Sequence, residues 1–419
     1  MKLLKHAIVI PLLSLVVGAS VAQDIIFIPA LIAATTVSKQ ALPDEVNSPA
    51  IYSGAAITAG AGSSVVGGVV AYQAVTLGAG SHVGAGLVAG AGATLGAGST
   101  VARFIRAGDG ATLGANSVVG GPIRASDNIA VGAFSRVNGD ITAGLGVVIG
   151  EGAEITGEND VTASTAAVVL GSGSTVYGNS ERNTGFVRAG TYVTASAYSF
   201  VQSGTIIPNQ LTPFTAPIRV NYQTQVSAAQ RALRAMPIDY ELGSSITAST
   251  LYPGVYHATQ LVTAASVTLT LDGQNNPNPV VWVFNMDTYL SFGGSLTVNV
   301  VNAHKESSVV WNAGTYTFVG ADSKIIGSII AGTYVTTGAD SAICGEIVTA
   351  TGGVTLGASS VVGGDSCWEG LRCFIIRGGV AEYDPQQCAI TPDEPVENEG
   401  CADDEIMDEY GECHKDILR

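Results

Sequence analysis

Threonine recurs at Thr58, Thr76, Thr94 and Thr112, always 18 residues apart and always between two apolar residues. Ala130 and Val148 then end the series. Each threonine offers one hydroxyl and one methyl. Stacked on successive coils about 4.8 Å apart, four of them would form a straight, uncharged array. Such an array suits a repeating, weakly charged ligand, because a surface that is already rigid has little left to order on binding. The same column also has a purely structural reading, since threonine is common on exposed strands.

Other residues with chemical potential are poorly arranged for it. His82 stands alone in its region, without a carboxylate or second imidazole at matching spacing, so neither a general base nor a metal ligand is expected there. The six cysteines, Cys344, Cys367, Cys373, Cys388, Cys401 and Cys413, all lie near the C-terminus without a close CxxC pair. In an exported chain that pattern favours disulfides over zinc. Ten carboxylates between Asp393 and Glu412 lack the ordered ligand spacing of an EF-hand loop. No catalytic residue, metal or cofactor is therefore expected, and an enzyme is the weakest reading.

The threonines need a scaffold with the same period, and the apolar residues supply one. Leu77, Leu95, Leu113, Val131 and Ile149 form one 18-residue ladder, extended backwards by Ala59. Val65, Val83, Val101, Val119, Val137 and Ile155 form a second, and Ala71, Ala89, Ala107, Ala125 and Ala143 a third. The three are offset by six residues. This is the signature of an all-β fold, a triangular β-solenoid with three short strands per coil, over residues 55–176. By the period-two rule Val75 and Leu77 point inward and Thr76 outward. Glycines such as Gly78 and Gly96 are read as corner residues chosen for backbone freedom, with Ser81, Ser99, Ser117 and Ser135 completing the turns. The second outward column reads Ser64, His82, Thr100, Val118, Arg136, Glu154, and the third Val88, Arg106, Arg124, Thr142. Only the threonine column is chemically uniform.

The register slips to 21 residues between Ile149 and Leu170. A single long helix is expected over 216–236, capped by Thr215, with Pro217 in its first turn. Tyr222, Val226, Ala229, Leu233 and Met236 would give it one apolar stripe for docking along the solenoid. Strand-like segments resume beyond it, with outward threonines again at Thr336 and Thr355 and a further pair, Thr333 and Thr351, at the same interval. Residues 177–363 are read as this second region and 23–54 as an N-terminal segment or cap.

The start of the chain is basic, then apolar from Ile8 to Val17, then small-residued up to Ala22. That reads as a secretory signal over 1–22, removed on export. Formal net charge is -16, and only 12% of residues are charged while 53 are glycine. Nucleic acid is excluded as a partner by the lack of a basic stripe. Residues 364–419 change character and read as an acidic, cysteine-rich cap or tail, which could attach the protein to a cell surface or matrix.

Several motifs, taken in order, resemble one family. They are Leu251-Tyr252-Pro253-Gly254-Val255-Tyr256, Thr268-Leu269-Thr270-Leu271-Asp272-Gly273, Asn278-Pro279-Val280-Val281-Trp282-Val283-Phe284, Val309-Val310-Trp311-Asn312 and Ile326-Gly327-Ser328-Ile329-Ile330-Ala331. Together they resemble the DUF3494 ice-binding protein family over about residues 150–363. The resemblance implies a triangular, discontinuous β-helix with one long helix packed alongside, secretion, and binding to an ice crystal surface through one flat face without cofactor. The candidate contact residues are then Thr58, Thr76, Thr94, Thr112, Thr333, Thr336, Thr351 and Thr355, on a protein expected to be monomeric. The alternative is an extracellular structural or adhesive protein in which the N-terminal solenoid is a stalk.

Overall fold

The computed structural model describes residues 49–157, 160–178, 185–202, 205–212, 214, 221–247, 249–304 and 307–363, with four short strands beyond. Two compact units divide the chain, Met1–Trp368 and Glu369–Arg419. The second contains two antiparallel pairs, Phe374–Arg377 with Val380–Tyr383 and Glu405–Met407 with Cys413–Lys415. The signal stretch 1–22, most of the N-terminal segment and most of the tail lie outside the described residues. No described helix is long and apolar enough to cross a membrane.

The first unit is a solenoid whose three parallel sheets contain 15, 14 and 14 strands. Period two along each short strand is plain in Val75–Leu77, where Val75 and Leu77 are buried and Thr76 is exposed. The three apolar ladders fill one continuous core. The 21-residue interval does not interrupt the stack, because Ile149 still pairs with Leu170; two of the extra residues fall between Ile155 and Val161 and one between Ala163 and Val168.

The order of coils in space differs from their order in sequence. The first coil comprises Pro49–Ser53, Ile57–Ala59 and Ser64–Val65. On one side it stacks on the second coil, as the sequence period requires. On the other side it stacks on the last coil, Ile347–Thr349, Val354–Leu356 and Val361–Val362. From Pro49 the chain thus runs from mid-stack out to Ile206–Ile207, and it winds in again from Tyr240–Glu241 until it closes against the Pro49–Ser53 coil. We call this closure the seam.

Between Ile207 and Tyr240 comes the helix, Gln223–Arg234. It is shorter than expected from sequence. Asn221 and Tyr222 are not helical, and the N-cap is Tyr222, without a side-chain cap bond. The reason lies in the partner surface: the Tyr222 N–H donates to the Tyr52 hydroxyl, 2.7 Å away, so tertiary docking sets the helix start. Thr215 and Pro217 fall outside the described residues. The apolar stripe packs as read, with Tyr222, Val226 and Leu233 buried and Ala229 and Met236 partly so, over Tyr52, Val70, Val283, Val310, Ile330 and Val348.

Twelve helical residues rise about 18 Å, close to four coil spacings. Gln223 Nε2 donates to the Gly54 carbonyl, and at the other end Asn285 Nδ2 donates to the Leu233 carbonyl. Between them Gln230 and Asn312 form a buried polar pair. The helix therefore straps the first coil to the coils across the seam. Upstream of it, the Thr212 N–H reaches the Ser164 carbonyl, six coils from the Tyr52 anchor on the same sheet.

Two kinds of corner residue hold the coils close. Gly78 and Gly96 are not in the left-handed region, contrary to the corner role read from sequence. A Cβ there would lie 2.5 Å from the backbone nitrogens of Ala61 and Ala79, so glycine serves close coil approach. Left-handed backbone comes two residues later, at Gly80 and Gly98, and then at Asn116 and Phe134. The corner serines are buried and reach back a coil: Ser81, Ser99, Ser117 and Ser135 donate to Gly60, Gly78, Gly96 and Gly114. Ser63 makes the same bond across the seam to Gly357.

Candidate functional site

Each sheet has one outward face. The 15-stranded sheet carries the helix on part of its face, and elsewhere bears Arg106, Arg124 and a clasp in which His257 lies between Glu241 and Asp287. The hydrogen bond to Glu241 leads in holding the His257 imidazole above its ordinary pKa. One 14-stranded sheet mixes Ser64, His82, Thr100, Val118, Arg136 and Glu154, with the last two ion-paired at 2.8 Å. The His82 imidazole shares a hydrogen bond with the Thr100 hydroxyl on the next coil. No group of ligands able to hold a metal ion occurs among the described residues.

The remaining 14-stranded sheet is different. From Thr194 at one end to Ser245 at the other, none of its fourteen central outward residues is charged. At its middle the two threonine series identified separately in the sequence become one. Thr112 pairs with Thr94, Thr94 with Thr76, and Thr76 with Thr58. Thr58 pairs across the seam with Thr355, and Thr355 with Thr336. Six consecutive rungs result, spanning about 24 Å at the usual strand spacing. Ala130 and Val148 bound the ladder on one side, and Phe318 on the other.

The flanks keep the ladder flat. On one side the row reads Ala358, Ala61, Ala79, Ala97, Ala115, linked coil to coil through backbone bonds at the corner. On the other it reads Gly353, Ala56, Ala74, Gly92, Gly110. Nothing larger than a methyl group rises beside the rungs in this stretch. Beyond it the second flank becomes aromatic: Tyr334, Tyr316 and Tyr289 stack at 5.1 and 5.0 Å beside Phe318.

Thr333 and Thr351 are not rungs. They sit in the corner between the helix-bearing sheet and the threonine sheet, where the Thr351 hydroxyl donates to the Gly332 carbonyl at 2.9 Å. Thr315 and Thr288 make the equivalent bond to the coil before each. The row stitches coils together, through the hydroxyls of Thr288, Thr315 and Thr351 and through the Thr333 N–H, which donates to the Thr315 carbonyl at 2.7 Å. The sequence reading missed the flanking alanine row, although Leu-Gly-Ala recurs after each of Thr76, Thr94 and Thr112.

The profile of ice-binding-like proteins matches residues 153–362, half of the chain. The chain belongs to the ice-binding-like family. Members of the family are non-catalytic, and so is this chain. No curated protein sequence matches. Among solved structures, the chain is similar to an ice-binding protein from the Antarctic ascomycete Antarctomyces psychrotrophicus, at 18% identity and TM-score 0.32, over 58% of this chain and 92% of that one. It is also similar to an ice-binding protein of an Arctic yeast, at 18% identity and TM-score 0.29, over 48% and 90% of the two chains. A DUF3494 domain of Shewanella frigidimarina gives 18% identity and TM-score 0.30 over 51% and 92%.

The family match has a spatial corollary. Its two ends, near Glu154 and Val362, lie on the mixed sheet with five strands between them. The ice-binding-like segment is therefore parted in space, and the coils that precede it in sequence are wedged into the gap. Of the six rungs, Thr336 and Thr355 belong to the matched segment, and Thr58, Thr76, Thr94 and Thr112 to the wedge.

Proposed function

We propose that this protein is secreted and adsorbs to ice through its threonine face, which hinders further growth of the crystal. The observation that carries the reading is the single uncharged ladder of six threonines on a face with no charged central position. Charged groups orient water around themselves, out of register with ice, and make a surface hard to join to a crystal of water. Methyl groups spaced by the coil repeat leave water between them ordered, and the hydroxyls can hydrogen-bond to it. The rigid stack presents these groups with little ordering cost.

Export fits the remaining features. Residues 1–22 read as a signal, and Cys344 is disulfide-bonded, as an oxidising compartment allows. The stalk required by an adhesive reading is not favoured, because the N-terminal coils sit inside the stack.

The test is ice growth with the purified mature chain, with single crystals followed on a cooling-stage microscope. Faceted crystals, with a gap between melting and growth temperatures, are expected. Round crystals growing freely at micromolar protein would defeat the proposal.

A further inference from the structure

We infer that the principal ice-contact site lies in the wedge coils, residues 55–115, outside the segment that places the chain in its family, with Thr336 and Thr355 as its margin; this rests on the reading above. The wedge holds four consecutive rungs, all exposed. Both flanks are reduced to glycine and alanine beside all four of these rungs, as they are beside the marginal Thr355. Outside it the face roughens. Next to Thr336 stands Phe318, 43% exposed, beside the half-exposed ring of Tyr334.

Removing residues 49–152 in thought shows what the wedge adds. The strand Val168–Leu170 would then adjoin Val354–Leu356, and Val169 would face Thr355. Only Thr336 and Thr355 would remain as neighbouring rungs, closed in by Phe318 and Val169. Adsorption to a lattice engages many weak contacts at once, and each further rung on a rigid array binds as an intramolecular event. Going from two adjacent rungs to six thus changes the strength of adsorption far more than threefold.

The 18-residue period allows a direct test with the full chain as parent. Deleting residues 73–126 joins Tyr72 to Asp127 in register and removes Thr76, Thr94 and Thr112. Deleting residues 127–144 joins Ser126 to Leu145 in register and removes the Ala130 coil, which carries no rung. Uptake into a slowly growing ice mass is measured for each, with circular dichroism and melting to establish folding. Uptake of the first deletion should fall by about tenfold or more, and of the second by less than about twofold. In the full-length chain, Thr94→Lys should likewise cost far more uptake than Thr336→Lys.

A folded 73–126 deletion taken up like the parent would overturn the assignment. So would Thr336→Lys proving the more damaging of the two point changes, and that pair decides the matter if the deletion does not fold. If the parent chain itself is not taken up by ice, the ice-adsorption reading fails, and the wedge assignment with it.

Discussion

The coils on either side of the seam solve the same problem with different materials. Those from Ile51 to Leu170 repeat mostly every 18 residues and fill their interior with valine, leucine, isoleucine and alanine. Those from Tyr240 to Trp311 have longer and less even turns, and a stacked aromatic column runs through them. Tyr240, Tyr256, Phe284 and Trp311 follow one another at 4.7, 5.0 and 4.0 Å, with Phe292 edge-on to Trp311. Larger coils need larger fillers, and aromatic rings also gain from stacking. The lesson is that core and surface are decoupled in a solenoid. Two unlike interiors carry one continuous outward row, because only the in-out alternation of each strand has to match.

The sharpest way to break that comparison is to truncate the aromatic column. Trp311 is fully buried, and its Nε1 donates to the Ile326 carbonyl at 2.9 Å. Trp311→Ala should cost about 3–5 kcal/mol, read by denaturant unfolding, whereas Val101→Ala in a regular coil should show a clearly smaller loss. Equal losses would mean that the irregular half does not depend on its column.

A smaller effect is expected at the strap between the two halves. Burial pushes the hydroxyls of Tyr52 and Tyr222 up to about 12. The rings meet at 5.1 Å. Tyr52→Phe keeps the packing but strands the Tyr222 N–H, which should cost about 1–3 kcal/mol. If the seam is the weakest junction, hydrogen exchange should speed up there before it does in the wedge coils.

The mildest probe is pH. Glu346 lies in the last coil, beside the seam, and burial drives its carboxyl up to about 8. Its Oε2 has no hydrogen-bond partner among the described residues. A raised carboxylate pKa means that the folded state holds the proton more tightly than the unfolded state. Stability from this group is therefore greatest below its unfolded value of 4.5 and declines as pH rises towards about 8. Melting temperature should drift down over that window, and Glu346→Gln should flatten the drift. An unchanged slope in the variant would assign it to other groups.

Much of this fold is legible in the sequence, because period and alternation are local properties. The ladders through Leu77 and Val83, the outward setting of Thr76, and the docking stripe of Val226 and Leu233 all follow from them. The seam does not, since an 18-residue period says which coil follows which but not what closes the stack. Thr58 and Thr355 lie nearly three hundred residues apart and still share a rung position. A trace existed: Val354-Thr355-Leu356-Gly357-Ala358 repeats Val75-Thr76-Leu77-Gly78-Ala79 residue for residue. The true start of the helix was hidden for a similar reason, as a tyrosine from the first coil sets it. Corner threonines and ladder threonines, such as Thr351 and Thr355, look alike until the turn geometry separates them.

The anchors at Thr212 and Tyr222 set a limit on how many coils can lie between them. The two are six coils apart, about 29 Å. Ten residues can reach at most about 33–36 Å whatever path they take. Coils can be taken out of the wedge freely, since that only leaves slack. One more could be accommodated, but two would need more chain between the anchors. The number of rungs that this protein can show to its surroundings is thus limited by the chain length between two anchors that are not on the threonine face.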